Sequence, residues 1–141
     1  MAHPAPSTSG GCLCGGVRFE LTEPAREAGY CHCTRCQKRT GGGSSLQARI
    51  DGRTFRLVSG EELVQCWRPP HTGFDKCFCR ECGAHLFARN PADESQVSIR
   101  FAAFDGDPGV RPSWRAFTAY APAWDPVPDD GLERFAEGKG R

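Results

Sequence analysis

Cys12-Leu13-Cys14-Gly15-Gly16-Val17-Arg18-Phe19-Glu20-Leu21 sets two cysteines one residue apart directly ahead of a run that alternates apolar and polar residues. A period of two predicts a half-buried strand, and it puts the paired thiols in the turn that feeds it. Two further knots follow, Cys31-His32-Cys33-Thr34-Arg35-Cys36 and Cys79-Arg80-Glu81-Cys82. Cysteines one or two residues apart can both reach one tetrahedral ion, whereas most such neighbours are poorly placed to bridge each other. Seven thiols in three knots therefore read as ligands for two zinc ions. Two closed four-thiolate sites would need one more, so one zinc is expected to be closed and the other to keep an open position for chemistry.

Two other uses of sulfur compete with this reading. A disulfide framework suits a small secreted chain, but residues 1–10 are polar and carry no apolar signal core. An iron–sulfur cluster also takes thiolates, yet the knots match no ferredoxin spacing.

The chain has 141 residues, one domain in length, with 17 Gly and 11 Pro against modest apolar content. Metal binding is then expected to supply part of the folding free energy. The formal charge is +1, with no basic run or aromatic stripe, which argues against a nucleic-acid groove. Seven thiolates and two Zn²⁺ would carry that +1 down to −2, further from a nucleic-acid binder. No apolar stretch is long enough to span a bilayer, so no membrane partner is expected and the cytoplasm is the default compartment.

Strands are expected at 17–21, 45–50, 54–58, 62–67, 76–78, 85–88 and 96–101, each bounded by Gly, Pro, Asp or Asn. One short helical turn is expected near 34–39. The predicted class is mostly β, a small zinc-bound domain of several short curled antiparallel sheets with the zinc ligands in the turns. Residues 1–10 read as a disordered tail, 11–135 as the single zinc domain and 136–141 as a frayed tail. The Pro- and Trp-rich stretch from Pro108 onward reads as an extended wrap whose aromatics cover the sheets. A zinc joining Cys12 and Cys14 to Cys79 and Cys82 would clasp two turns far apart in the chain and restrict its unfolded state.

Gly11-Cys12-Leu13-Cys14-Gly15-Gly16-Val17-Arg18-Phe19, Cys31-His32-Cys33-Thr34-Arg35-Cys36-Gln37-Lys38, Phe78-Cys79-Arg80-Glu81-Cys82-Gly83-Ala84-His85-Leu86-Phe87, and Ala121-Pro122-Ala123-Trp124 with Asp129-Asp130 together resemble the glutathione-dependent formaldehyde-activating enzyme family. The resemblance runs from about Gly11 to Phe135. It implies a small zinc-bound β-fold in which Cys12, Cys14, Cys79 and Cys82 hold a structural zinc and Cys31, Cys33 and Cys36 a catalytic one. It also implies a carbon–sulfur lyase activity, the joining of formaldehyde and glutathione into S-hydroxymethylglutathione, with a small-molecule thiol or thiol adduct as the partner. A zinc-stabilised binding module without turnover is the alternative.

A zinc held by three thiolates is a weaker Lewis acid than a three-histidine site and is better matched to an incoming thiol, which could attack a small aldehyde as a metal-held thiolate. Arg35 within the second knot and Lys38 and Arg39 just after it could balance the added negative charge, or form an ordinary solvated turn. His32 could relay a proton or hydrogen-bond a thiolate, or lie at the surface of a turn. His85 is expected to pack. Arg18, Arg49, Arg68 and Arg100 are candidates by type for gripping carboxylates. Cys66 is expected to pack as a small core residue. Cys77 shares a strand face with Cys79 and stands as a further ligand candidate.

Overall fold

The computed structural model describes residues 5–71 and 73–140. Eleven strands and one short helix are assigned among them: β1 Ser9–Gly11, β2 Arg18–Leu21, β3 Glu27–Cys31, α1 Thr34–Thr40, β4 Ser45–Asp51, β5 Phe55–Ser59, β6 Val64–Trp67, β7 Asp75–Cys79, β8 His85–Asn90, β9 Asp93–Arg100, β10 Pro112–Ala116 and β11 Glu133–Arg134. They form a three-stranded sheet, β1-β2-β5, and an eight-stranded sheet, β11-β10-β3-β4-β9-β8-β7-β6. The mostly β expectation holds, with one difference. The sheets were expected to be antiparallel, but β10 runs parallel to both β3 and β11. A parallel neighbour needs a long crossover, and here most of the molecule lies between β3 and β10.

Alternation assigns the two faces of the large sheet. Ala28, Ala48, Ile50, Cys77, Val97 and Ile99 are buried on one face and meet Val17, Phe19 and Leu21 of the small sheet. Phe19 lies 5.7 Å from Phe104, edge to face, and Phe55 lies 4.8 Å from Phe87. Aromatic contacts therefore seal the join between the two sheets. The partners on the opposite face include Gln47 beside Arg100, Arg49 beside Ser98, and Lys76 between Ala88 and Trp67. That face is the floor of the candidate site.

Both ends of the chain depart from the expected tails. Ser9–Gly11, partly within the expected N-terminal tail, pairs with β2, and Gly10 is buried. Residues 1–4 of that tail and Arg141 of the other lie outside the described residues. Residues 137–140 are tied to the body by hydrogen bonds described below rather than frayed. The C-terminal wrap covers the large sheet with one tryptophan and not the other. Trp114 is 3% exposed and Trp124, in a turn closed by the Asp125 amide donating to the Pro122 carbonyl, is 70% exposed. Trp114 lies over Gly29, its partner across β3 and β10, where a Cβ would come within 2.0 Å of the indole. Only glycine leaves room for that close approach.

Cys66 and Cys77 stand opposite each other on β6 and β7 and form a disulfide, with Cα atoms 4.0 Å apart and a sequence separation of 11. This corrects two expectations: Cys66 is covalently paired rather than a free core thiol, and Cys77 is removed from the set of metal ligands. Both side chains point to the core face, and direct cross-strand opposition brings the sulfurs together.

Candidate metal centres and pocket

The first cluster gathers Cys12, Cys14, Cys79 and Cys82, whose sulfurs all lie within 4.8 Å of one another. Each pair closes a tight turn ending in a left-handed glycine, Gly15 at φ 77° and Gly83 at φ 76°. The Gly15 amide donates to the Cys12 carbonyl and the Gly83 amide to the Cys79 carbonyl. The turns point sulfurs from two distant segments at one another, with Cys12 and Cys14 at 3.5 Å and Cys14 and Cys79 at 3.8 Å.

The Val17 amide donates to Cys12 Sγ at 3.2 Å. Burial pushes the Cys12 thiol up, but that amide and the neighbouring sulfurs bring it below its ordinary value. Cys82 falls to about 6, chiefly through the Ala84 amide, and Cys14 rises to about 11, the surrounding sulfurs outweighing the Gly16 amide. The pKa values of Cys12, Cys14 and Cys82 are thus driven apart by sulfurs that compete for charge at short range. A divalent cation at their centre would relieve that repulsion, and four sulfurs at this spacing fit a tetrahedral ion.

The second cluster, Cys31, Cys33 and Cys36, also has its sulfurs within 4.8 Å of one another, and it is local to six residues. Cys31 ends β3, Cys33 caps α1 and Cys36 lies in its first turn. The Cys33 sulfur accepts from the Cys36 amide at 3.3 Å, so the cap itself aims both side chains. Gln37 Nε2 donates to the His32 carbonyl at 2.9 Å and the Tyr120 carbonyl at 3.0 Å, tying the helix to the wrap. Cys33 is held well below the ordinary thiol range by hydrogen bonds from Cys31 and Cys36, and Cys31 is pushed far above it by Cys33 and Cys36. A three-sulfur donor set fits a metal with one position left for a further ligand.

This cluster opens into a cavity of about 790 Å³. Arg35, Lys38 and Arg39 reach it from α1, and Arg49, Lys76 and Arg100 from the sheet, with Lys139 at its edge. No carboxylate lines it among the described residues. Arg100 donates to Gln47 at 3.2 Å and interacts with the Cys36 sulfur. Burial lowers the Lys76 ammonium below its ordinary value, as do the neighbouring Arg39, Arg100 and Arg35, against the pull of Cys36. The cations crowd one another around the sulfurs, an arrangement that favours anionic ligands. A second cleft of similar volume, lined in part by Phe55, Leu57, Arg68 and Asp75, holds no cysteine.

Of the four arginines proposed by type, Arg49 and Arg100 line the cavity. Arg18 is paired with Asp105 and Arg68 with Asp75 at 2.8 Å, and neither lines the cavity of the second cluster. His32 is not a surface imidazole. It is 3% exposed, and Arg115 donates to its Nε2 at 3.2 Å. Arg115 in turn is held by Asp130 at 2.8 Å and stacks on Tyr30 at 4.0 Å. An imidazole accepting at Nε2 carries its proton on Nδ1, which has no partner. Burial and then Arg115 hold the His32 pKa down, so the ring is neutral. His85 is half-buried and falls to about 4 through burial and the nearby Arg39 and Arg100.

Lys76, Trp114, Arg115 and Lys139 escaped the sequence reading. Only Lys76 left a signal, because placing Cys77 and Cys79 inward turns Lys76 to the other face.

Two cysteine clusters that could each hold a metal ion, one joining distant parts of the chain and one open to a cationic cavity, lie on a small curled β-domain. The chain belongs to the glutathione-dependent formaldehyde-activating enzyme family, whose model matches residues 7–120. It is also similar to a crystal structure of a Rhodobacter sphaeroides protein, at 25% identity and a TM-score of 0.54, covering 70% of this chain and 88% of that one. No helix among the described residues is long and apolar enough to cross a membrane.

Proposed function

We propose that this chain is a cytoplasmic zinc-dependent carbon–sulfur lyase acting on a thiol adduct of a small aldehyde, of which S-hydroxymethylglutathione is the type. Cys12, Cys14, Cys79 and Cys82 would hold a structural zinc, and Cys31, Cys33 and Cys36 a catalytic one. The observation that carries this reading is the second cluster: three sulfurs at the wall of a cavity with seven cationic side chains and, among the described residues, no carboxylate side chain. When bound there, zinc would supply Lewis-acid stabilisation of an incoming thiolate beside the reacting carbon.

The chain's own residues supply the rest. Arg100 interacts with the Cys36 sulfur, and Arg39 and Lys76 share its surroundings, so negative charge gathered at the cluster is balanced without bulk water. The cavity is large enough for a tripeptide-sized thiol. Its arginines can take carboxylates in bidentate fashion. The cap contact between Cys33 and the Cys36 amide keeps the sulfurs oriented whether or not a ligand is present.

The test is cobalt substitution. Added glutathione should change the thiolate-to-metal absorption of the cobalt protein, and Cys36→Ser should abolish the change. Exchange NMR with formaldehyde and glutathione, corrected for the uncatalysed reaction, should show faster formation of the adduct. A spectrum unmoved by any thiol would overturn the reading; a moved spectrum without acceleration would overturn only the substrate.

A further inference from the structure

Residues 138–140 belong to no strand, yet they line the cavity beside the second cluster. Arg49 donates from one terminal nitrogen to the Lys139 carbonyl at 2.8 Å and from the other to the Gly140 carbonyl at 2.9 Å. Its remaining contacts are Glu27 at 3.3 Å and the Trp114 ring, whose centroid lies 4.8 Å away. The Lys139 ammonium lies 4.9 Å from the Trp114 centroid and 5.9 Å from that of Phe135. Upstream the segment is fastened at the cavity's rim: the Phe117 amide donates to the Glu137 carbonyl, and the Tyr120 hydroxyl to the Glu137 carboxylate at 3.1 Å. One end is anchored and the other crosses the site.

The guanidinium fork of Arg49 is thus filled by two neutral carbonyls of the chain itself. A carboxylate offers the same two oxygens with a full charge, and such bidentate pairs are roughly twice as strong as neutral ones. Gly138 and Gly140 flank Lys139, so the segment regains much backbone freedom once released. We propose that residues 138–140 form a displaceable strap over the three-cysteine cavity, which occupies Arg49 in the unliganded chain and yields it to a carboxylate of the incoming thiol. The inference rests on the reading of the cavity as a site for a carboxylate-bearing thiol. It assigns Arg49 the anchoring of that carboxylate and the strap a competing role.

The experiment is NMR on the zinc-loaded full chain, following the heteronuclear NOE of Gly138, Lys139 and Gly140 while glutathione is added. Without ligand the three amides should be as ordered as those of β4; at saturation they should become mobile. In Arg49→Gln they should be mobile from the start, and glutathione should bind about tenfold more weakly for want of one charge-assisted pair. A strap that stays ordered with glutathione bound, or in Arg49→Gln, would overturn the proposal, as would one already mobile without ligand. Cobalt spectra taken alongside separate this inference from the reading beneath it. A moved spectrum over an ordered strap sinks the strap alone, and a released strap under an unmoved spectrum sinks the thiol chemistry alone.

Discussion

The two cysteine clusters use the same ligand chemistry and opposite connectivity. Cys12 and Cys14 are drawn to Cys79 and Cys82 from the far side of the sequence, whereas Cys31, Cys33 and Cys36 need only the end of one strand and the first turn of one helix. A metal in the first site would hold two remote turns together, so its loss removes a long-range link. The second site is shaped by a helix cap, in which the Cys36 amide donates to the Cys33 sulfur. On the proposed function, stability would reside in the closed, non-local site and reactivity in the open, local one.

The sharpest break in that comparison comes from the ligands. Cys79→Ser should leave the chain largely insoluble or without a cooperative melt, because removing a structural metal removes folding energy of about 10 kcal/mol or more. Cys36→Ser should keep a cooperative melt and retain one zinc by elemental analysis. If both variants unfold alike, the second site is structural as well and the contrast collapses.

Gly29→Val tests whether the open site depends on a rigid sheet. A side chain there collides with the Trp114 indole, so the variant should lose about 3 kcal/mol in urea unfolding. Its cobalt response to glutathione should weaken too, since Trp114 walls the cavity. Cys66→Ser comes next. Opening a cross-link between residues 11 apart should cost about 2–3 kcal/mol, read as a lower urea midpoint, with both zincs retained. A lost zinc would mean that the disulfide and the first cluster form one unit.

Arg115→Met should give the smallest effect and the most selective one. It strips His32 of its Nε2 partner and Asp130 of its cation, with Tyr30 left unstacked. Affinity for the second zinc should fall about tenfold, as is usual when support behind a ligand loop is lost, while the first zinc is unaffected. Competition with a chromogenic chelator would measure both constants.

Much of this was legible in the sequence because it is local. The strands around Phe19, Ile50, Leu57, Leu86 and Ile99 are written in alternation, and the short helix follows from a cysteine acting as cap ahead of Gly41. The seven cysteines fell into the two groups that the family resemblance implied. What escaped is non-local. β3 and β10 lack clean alternation, because Gly29 and Trp114 spend their pattern on one interlocking contact. The bond between Cys66 and Cys77 depends on the register of β6 against β7, which the sequence does not state. Arg115 meets His32 only because a parallel strand returns from the far end of the chain, and a lone arginine carries no periodicity to announce it.

That returning strand bears on how the protein is made. The loop of residues 31–36 leaves the ribosome early and can gather its three thiols as soon as α1 winds. Trp114 and Arg115, which wall the cavity and brace the loop, are synthesised after almost everything else, and parallel pairings of high contact order form late. Until β10 is made, the chain carries three clustered thiols with β4 on one side of β3 and nothing yet on the other. Thiols so placed would be open to oxidation or to the wrong metal in that interval, so on the proposed function early zinc delivery would favour intact sites.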